Sequence, residues 1–479
     1  MPLLSLPPDI LLGIFVILRP EDVLVVGQTC RVLHEYTLND YLWHQIPVHL
    51  PLDIEPYVDP NHLPGPILQA TVTRALRVNH NWRRPNPRIK QMTRLGDLNN
   101  VVQMQFIGAD WLIVLRRSPA SLSVWRVADT HQPFRAAIID LPGLYTLSFC
   151  GTLHTGGREA LIALISDTRS GTQLTVFSVS LQSQLDYNAG AGGLLPSPSV
   201  ICKIFRPESE GRFYEVHVCG RIIAVGIPQF VNHVLVPSAY RILILNSATG
   251  GQCLIDPKFD PTEQLAQLHF RLYTRLIVLA AVRNQSTVIV RVHDLPAIVF
   301  NESMGNTSRS ESPILVESLT TPKAQYESPA IPDVDYHLSA NSMHNISHIA
   351  SISFHSLYQM GDDCIVHFPL ANGAFPLGDK PSFTCPFRTE LGASAEIVCL
   401  GETGQRAVWL ERRWASDEYT LMKAAFSPVG DEPAVVQPLF ARNLALPFEL
   451  HTCRSLAFEE ATGRVCLALH TGELYILQF

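Results

Sequence analysis

Residues 456–476 carry the reading that decides the fold: Leu456-Ala457-Phe458, then Gly463-Arg464-Val465, then Thr471-Gly472-Glu473-Leu474-Tyr475-Ile476. Each apolar run is only a few residues long, and Gly or Thr-Gly separates it from the next. Short runs punctuated in this way suit antiparallel strands and are too brief for helices. The same rhythm holds back to about residue 95, with runs at 101–106, 111–115, 122–127, 160–165, 174–179, 222–227, 242–245, 276–282 and 288–292. These runs are rich in Val and Ile, and helical periodicity between them is too sparse for alternating strand–helix units. The body of the chain is therefore predicted to be all-β.

The runs group into sets of three or four: 101–140, 144–205, 213–255, 265–318, 346–388, 394–440 and 451–479. Sets averaging about 55 residues, somewhat longer than the usual repeat, predict a β-propeller of seven blades, with six or eight also compatible. The 456–476 stretch resembles a closing blade of the WD-repeat type. Its last strand ends at Phe479, so a strand near 88–95 is expected to complete that sheet. WD dipeptides themselves are absent, and Val124-Trp125-Arg126 is the nearest substitute. Residues 301–345, with eight serines and four prolines, break the rhythm and read as a flexible insertion between blades. Ser312-Pro313, Thr321-Pro322 and Ser328-Pro329 are candidate proline-directed phosphorylation sites within it.

Motifs that carry chemistry are missing. The sequence holds no G-x-S-x-G elbow, Walker motif or kinase signature, and Ala189–Gly193 (AGAGG) lacks the Lys-Ser/Thr of a phosphate loop. His344 and His348 have a helical metal-ligand spacing, but Ile349–Phe354 beside them reads as strand, where four-apart residues stand about 13 Å apart. No metal or cofactor is expected. Acids and histidines gathered around a propeller channel remain the one route to an enzyme or a ligand-binding propeller that sequence does not close. The net charge of −7 argues against a surface built for nucleic acid or membrane. Ten scattered cysteines without a CxxC pair read as reduced thiols in a cytoplasmic or nuclear protein.

The connector, 47–94, holds six prolines between 47 and 66, followed by one helical pattern to about Trp82. Seven basic residues and no acid lie between Arg74 and Arg94. With Trp82 as the single aromatic there, the run reads as a solvated or propeller-packed connector more readily than as a nucleic-acid site.

The first 46 residues differ from everything after them. Pro7, Pro8 and Asp9 open a helix in which Ile10, Leu11, Ile14, Phe15 and Leu18 share one face, while Leu12, Val16 and Ile17 make the other side apolar too. Arg19-Pro20 ends it, Glu21-Asp22 opens a second helix, and a third runs from about Cys30 to Leu38. The apolar run 10–18 imitates a signal peptide, but Asp9 and the Arg19-Pro20-Glu21-Asp22 that follows do not fit one, and it is far short of the roughly 20 residues of a membrane helix. A forty-residue unit cannot bury helices that are apolar on both sides. Either a partner or the rest of this chain must cover the surplus.

Leu6-Pro7-Pro8-Asp9-Ile10-Leu11, Ile14-Phe15, Leu18, Pro20-Glu21-Asp22-Val23, Cys30-Arg31, Leu33 and Leu42-Trp43 together resemble an F-box over about residues 4–46. Thr29 and His34 depart mildly from that pattern. The resemblance implies docking onto a Skp-family linker protein and, through it, a cullin scaffold. Leu6, Pro7, Ile10, Leu11, Ile14, Phe15 and Leu18 are the implied contact set, with Leu42 and Trp43 assisting. The expectation is a non-catalytic substrate receptor of a ubiquitin ligase, with an unknown target protein on the propeller face: F-box at 1–46, connector at 47–94 and propeller at 95–479. The competing expectation is a propeller hydrolase or ligand-binding propeller without a ligase role.

Overall fold

The computed structural model describes residues 6–54, 58, 60–128, 133–141, 145–154, 156–181, 198–231, 234–259, 265–273, 275–284, 287–300, 315–319, 321–329, 334–338, 349–356, 363–369, 383–387, 392–426, 434–441 and 444–479. Five helices come first: α1 (Pro8–Val16), α2 (Pro20–Val26), α3 (Arg31–Thr37), α4 (Asp40–Gln45) and α5 (Gly65–Arg83). Proline in the first turn starts α1, α2 and α5, where its missing N–H costs nothing. The Asn39 side chain caps α4 by accepting from the Tyr41 N–H at 2.9 Å. Sequence periodicity resolved only three helices before the connector; Tyr41-Leu42-Trp43 in fact lies within a short fourth one.

The four short helices close around Phe15, Val23, Leu33, Leu42, Trp43 and Ile46. Leu68 and Val72 of α5 complete that cluster, so the small unit gains interior volume from the connector helix. The Trp43 indole N–H donates to the Thr37 carbonyl at 2.7 Å, which satisfies its one polar group inside the core.

The rest of the chain is an all-β propeller. Among the described residues six sheets have four strands each, one sheet has five, and a two-stranded hairpin (Phe230–Val231, Val234–Leu235) stands apart. The first two expected sets hold closely, as Val101–Ile107 to Phe134–Asp140 and as Tyr145–His154 to Ser199–Pro207. The final sheet joins Cys453–Glu459, Arg464–Leu469 and Glu473–Gln478 to an N-terminal strand, Gln91–Asp97. That closing pair runs antiparallel from Gln91↔Gln478 to Asp97↔Glu473, so the two ends of the β region lock together as expected.

The blade count is corrected: six of the expected sets, not seven, form four-stranded blades. The set beginning at 215 is a five-stranded sheet, whose outer strand Leu315–Ser318 pairs in parallel with Gln252–Asp256. That outer strand comes from the segment assigned by sequence to the next set. The next sheet takes Ala324–Pro329 as its fourth strand instead. Hence 301–345 is not simply an insertion, since it contributes these two strands and Val334–Leu338. The physical reason is that outermost strands need little apolar alternation, so Ser, Pro and Glu do not exclude them.

Candidate functional site

Two regions could carry function: the surface of the helical unit and the centre of the propeller. The nine residues assigned to linker docking separate by burial. Leu11, Phe15, Leu42 and Trp43 are almost completely buried in the helical unit's own core. Leu6, Ile14 and Leu18 are half-buried, while Pro7 and Ile10 are exposed. These four side chains hold the helices of the unit together. The exposed apolar set also includes residues outside that assignment: Ile17 at 80% exposure, Val25 at 61%, and Val32, Leu38 and Tyr41. Of these, Ile17 had a sequence signal, as an apolar residue opposite the main face of the first helix. Among the described residues nothing covers this apolar surface, on a helix that buries Leu11 and exposes Ile17 one helical side away.

Helix α5 fixes this unit to the propeller. Its 19 residues span about 28 Å. Leu68 and Val72 near its start belong to the helical core, and Trp82 near its end is wholly buried in the propeller core. The Trp82 ring stacks on Phe458 at 5.1 Å, meets Phe479 edge-on at 5.8 Å, and donates its indole N–H to the Ala424 carbonyl at 2.8 Å. Lys423, itself buried, donates to the Trp82 and Arg84 carbonyls and so satisfies the C-terminal end of α5. Burial lowers the pKa of that ammonium to about 8. Three members of the basic run are engaged within the protein: Arg74 pairs with Asp53 at 2.8 Å, Arg94 with Glu473 at 3.5 Å, and Lys90 donates to the Phe479 carbonyl. The one aromatic available for stacking a base, Trp82, is therefore inside the protein.

The inner strands Val101–Ile107, Tyr145–His154, Glu215–Cys219, Leu265–Leu272, Ala393–Leu400 and Cys453–Glu459 surround a polar channel with a cavity of 430 Å³. At its middle, Glu215 accepts from His217 at 2.8 Å, from the Phe270 N–H at 3.4 Å, and pairs with His269 at 3.4 Å. Arg271 reaches the far side of His217 at 2.8 Å. Burial would raise the Glu215 pKa, but the two imidazoles outweigh it and hold the carboxylate well below its usual range. Burial and Arg271 lower the His217 pKa, against the opposing pull of Glu215. Cys150 also lines the channel, yet burial pushes its thiol up, away from the reactive thiolate. The channel thus gathers acids and histidines, but its central carboxylate is already fully engaged.

Where those inner strands end, Leu52, Asp53 and Ile54 of the connector lie against the channel mouth with Gly108, Thr152, Leu272 and Glu459. At the same end the Glu460 carboxylate accepts three backbone N–H groups, from Thr403 (2.6 Å), Gln405 (2.9 Å) and Arg406 (2.8 Å). Gly401 is required there, because a Cβ would run into that carboxylate. These bonds bind the 393–438 sheet to the closing sheet.

Among the described residues no group of three or more His, Cys, Asp and Glu could hold a metal ion, and no helix is long and apolar enough to cross a membrane. His344, His348, the 189–193 glycine run and Ser312-Pro313 lie outside the described residues. Thr321-Pro322 stands in an exposed turn between two strands.

A comparison with curated proteins finds no match. Among solved structures, a chain of a mitotic checkpoint complex is 10% identical with a TM-score of 0.41, covering 82% of this chain and 94% of that one. The WD40 domain of SCAP from fission yeast is 9% identical with a TM-score of 0.39, over 81% and 98%. The C-terminal WD40 domain of Sif2 is 8% identical with a TM-score of 0.41, over 82% and 99%. Residues 3–48 match the family model described as F-box-like, so this chain carries an F-box-like domain in front of its β-propeller.

Proposed function

We propose that this protein is the substrate-recognition subunit of a Skp/cullin/F-box ubiquitin ligase, working in the cytoplasm or nucleus. The observation that carries the reading is the F-box-like unit with its uncovered apolar surface, joined by one continuous helix to the propeller. In this reading residues 1–46 dock on a Skp-family linker and, through it, a cullin. Residues 47–94 set the spacing, and the propeller at 95–479 holds the target protein. The chain performs no chemistry; it supplies proximity to a transfer that takes place on other subunits. A helix packed into both cores keeps the target at a fixed distance and orientation, as that role requires.

Docking rests on Leu6, Pro7, Ile10, Ile14 and Leu18, extended by Ile17. Large apolar anchors typically cost about 2 kcal/mol or more each when lost, a factor of about 30 in affinity. Co-purification with the linker and a cullin tests this: the intact chain should capture both. A variant with Ile10→Asp and Ile17→Asp should lose them while keeping its circular dichroism spectrum and melting temperature. Normal capture by that folded variant would refute the docking assignment.

The channel gives the competing reading a specific foothold in Glu215, His217 and His269. Every one of these groups has a partner within the protein, which supports a structural role. Turnover of a hydrolase substrate that is abolished by Glu215→Gln would revive it.

A further inference from the structure

The outer side of α5 carries positive charge that the rest of the chain does not cancel. Arg74, Arg77, His80 and Arg84 follow one another at three- and four-residue intervals and so share one side of the helix, opposite the buried Val72, Ala75, Val78 and Trp82. Arg74, Arg77 and His80 are exposed and Arg84 is half-buried. Arg88, also exposed, is drawn to this side by Asn81, whose side chain donates to the Arg88 carbonyl and accepts from the Arg88 N–H, each at 2.9 Å. Lys90 lies near Arg77, and burial together with that guanidinium lowers its pKa. The two ends of the basic run have acidic partners, Asp53 for Arg74 and Glu473 for Arg94. Between them, among the described residues, Arg77, Arg84 and Arg88 make no ion pair with an acid. The Arg84 guanidinium meets the His80 ring at 2.9 Å, which does not cancel its charge.

We propose that this side of α5, at Arg77, Arg84 and Arg88, binds a short acidic segment of a partner protein. Arg77 and Arg84 stand about 10 Å apart along the helix, and Arg88 lies beside them, so three like charges crowd one small area. Carboxylates set among them replace that repulsion with forked, charge-assisted hydrogen bonds. The helix is fixed in both cores by Leu68, Val72 and Trp82, so the guanidiniums start from a rigid backbone and little order is lost on binding. Nucleic acid is the other polyanion that such charge could attract. Trp82 is the single aromatic between 74 and 94 and is wholly buried, so no ring is offered to a base. A patch about 10 Å long meets only about three phosphates of a strand charged about every 3.4 Å. The net charge of −7 repels the phosphates beyond it. A short acidic segment carries no such excess. The stripe is separate from the apolar docking surface and from the channel, and its occupancy does not depend on linker docking.

The probe is a rhodamine-labelled hexapeptide of alternating Asp and Glu, titrated against the full chain by fluorescence anisotropy. Saturable binding is expected, weakening as added salt screens the charges. Reversing the patch with Arg77→Glu and Arg88→Glu together should weaken the probe at least about tenfold. Arg158→Glu reverses an exposed arginine in the turn before the strand Glu159–Thr168, and it should leave the affinity within about twofold. Both variants should keep the parent melting temperature and linker capture, so a failure here is distinct from a failure of the docking assignment. The proposal is overturned by no saturable binding to the intact chain, by equal binding to the Arg77 and Arg88 reversal, or by an equal loss in Arg158→Glu. Tighter binding of a single-stranded RNA hexanucleotide at the same arginines would overturn it as well.

Discussion

Removing the indole of Trp82 tests whether α5 is a rigid strut or a loose tether. Trp82 is completely buried, in contact with Phe458 and Phe479, and its N–H is bonded to the Ala424 carbonyl. Truncating a buried tryptophan to alanine costs about 3–5 kcal/mol in transfer and cavity terms. The orphaned carbonyl adds about 1 kcal/mol more. A loss of about 5 kcal/mol changes the docking equilibrium of the helix end by more than about a thousandfold, comparable to a large part of a domain's whole stability. The F-box end should survive, because Leu68 and Val72 remain in the other core. Trp82→Ala is therefore expected to lower the urea midpoint of the propeller followed by circular dichroism and to open 84–90 to limited proteolysis. Linker capture should persist. Spin labels placed on α3 and on an outer propeller strand should report a narrow distance distribution in the parent and a broad one in the variant. An unchanged midpoint together with an unchanged narrow distribution would refute the strut.

Other perturbations discriminate among the remaining roles. Leu11→Asp places a charge in a fully buried site, so it should unfold the helical unit and cost well over about 3 kcal/mol by chemical denaturation, whereas Ile17→Asp should leave that unit's stability within about 0.5 kcal/mol. Equal stability of the two variants would contradict the assigned burial. Glu460→Ala strands three backbone N–H groups and should destabilise the propeller by about 3 kcal/mol or more in urea titration; a neutral result would mean these bonds contribute little. Burial and Arg271 hold the folded pKa of His217 below the unfolded value of about 6.5, so the unfolded chain binds the extra proton. Stability should accordingly fall as pH drops from about 6.5 toward that lower folded value. His217→Gln should flatten this part of the profile, and an identical slope in the variant would remove His217 as its source.

Much of this protein was legible in local pattern. Pro7, Pro8, Pro20 and the 3.6-residue spacing of Ile10, Ile14 and Phe15 announce the first helices, because helix entry and amphipathicity are properties of neighbouring residues. The run 101–140 gives four strands for the same reason, as each hairpin is closed by its own turn. Even the pairing of an N-terminal strand with 473–478 was foreseeable, since a strand left at the end of a propeller requires a partner.

What sequence could not settle was which apolar residues face inward in a helix apolar on all sides. Leu11 and Ile17 are equally hydrophobic, and only packing against Leu42, Trp43 and α5 buries one and exposes the other. The channel network is likewise a product of tertiary structure, because Glu215 and Arg271 stand 56 residues apart and meet through neighbouring sheets. The strand Leu315–Ser318 joins a sheet whose other members end at Asp256, a choice dictated by an open edge in space and by nothing in its own sequence. Local preference selects the elements, whereas long-range burial and pairing select which of them meet.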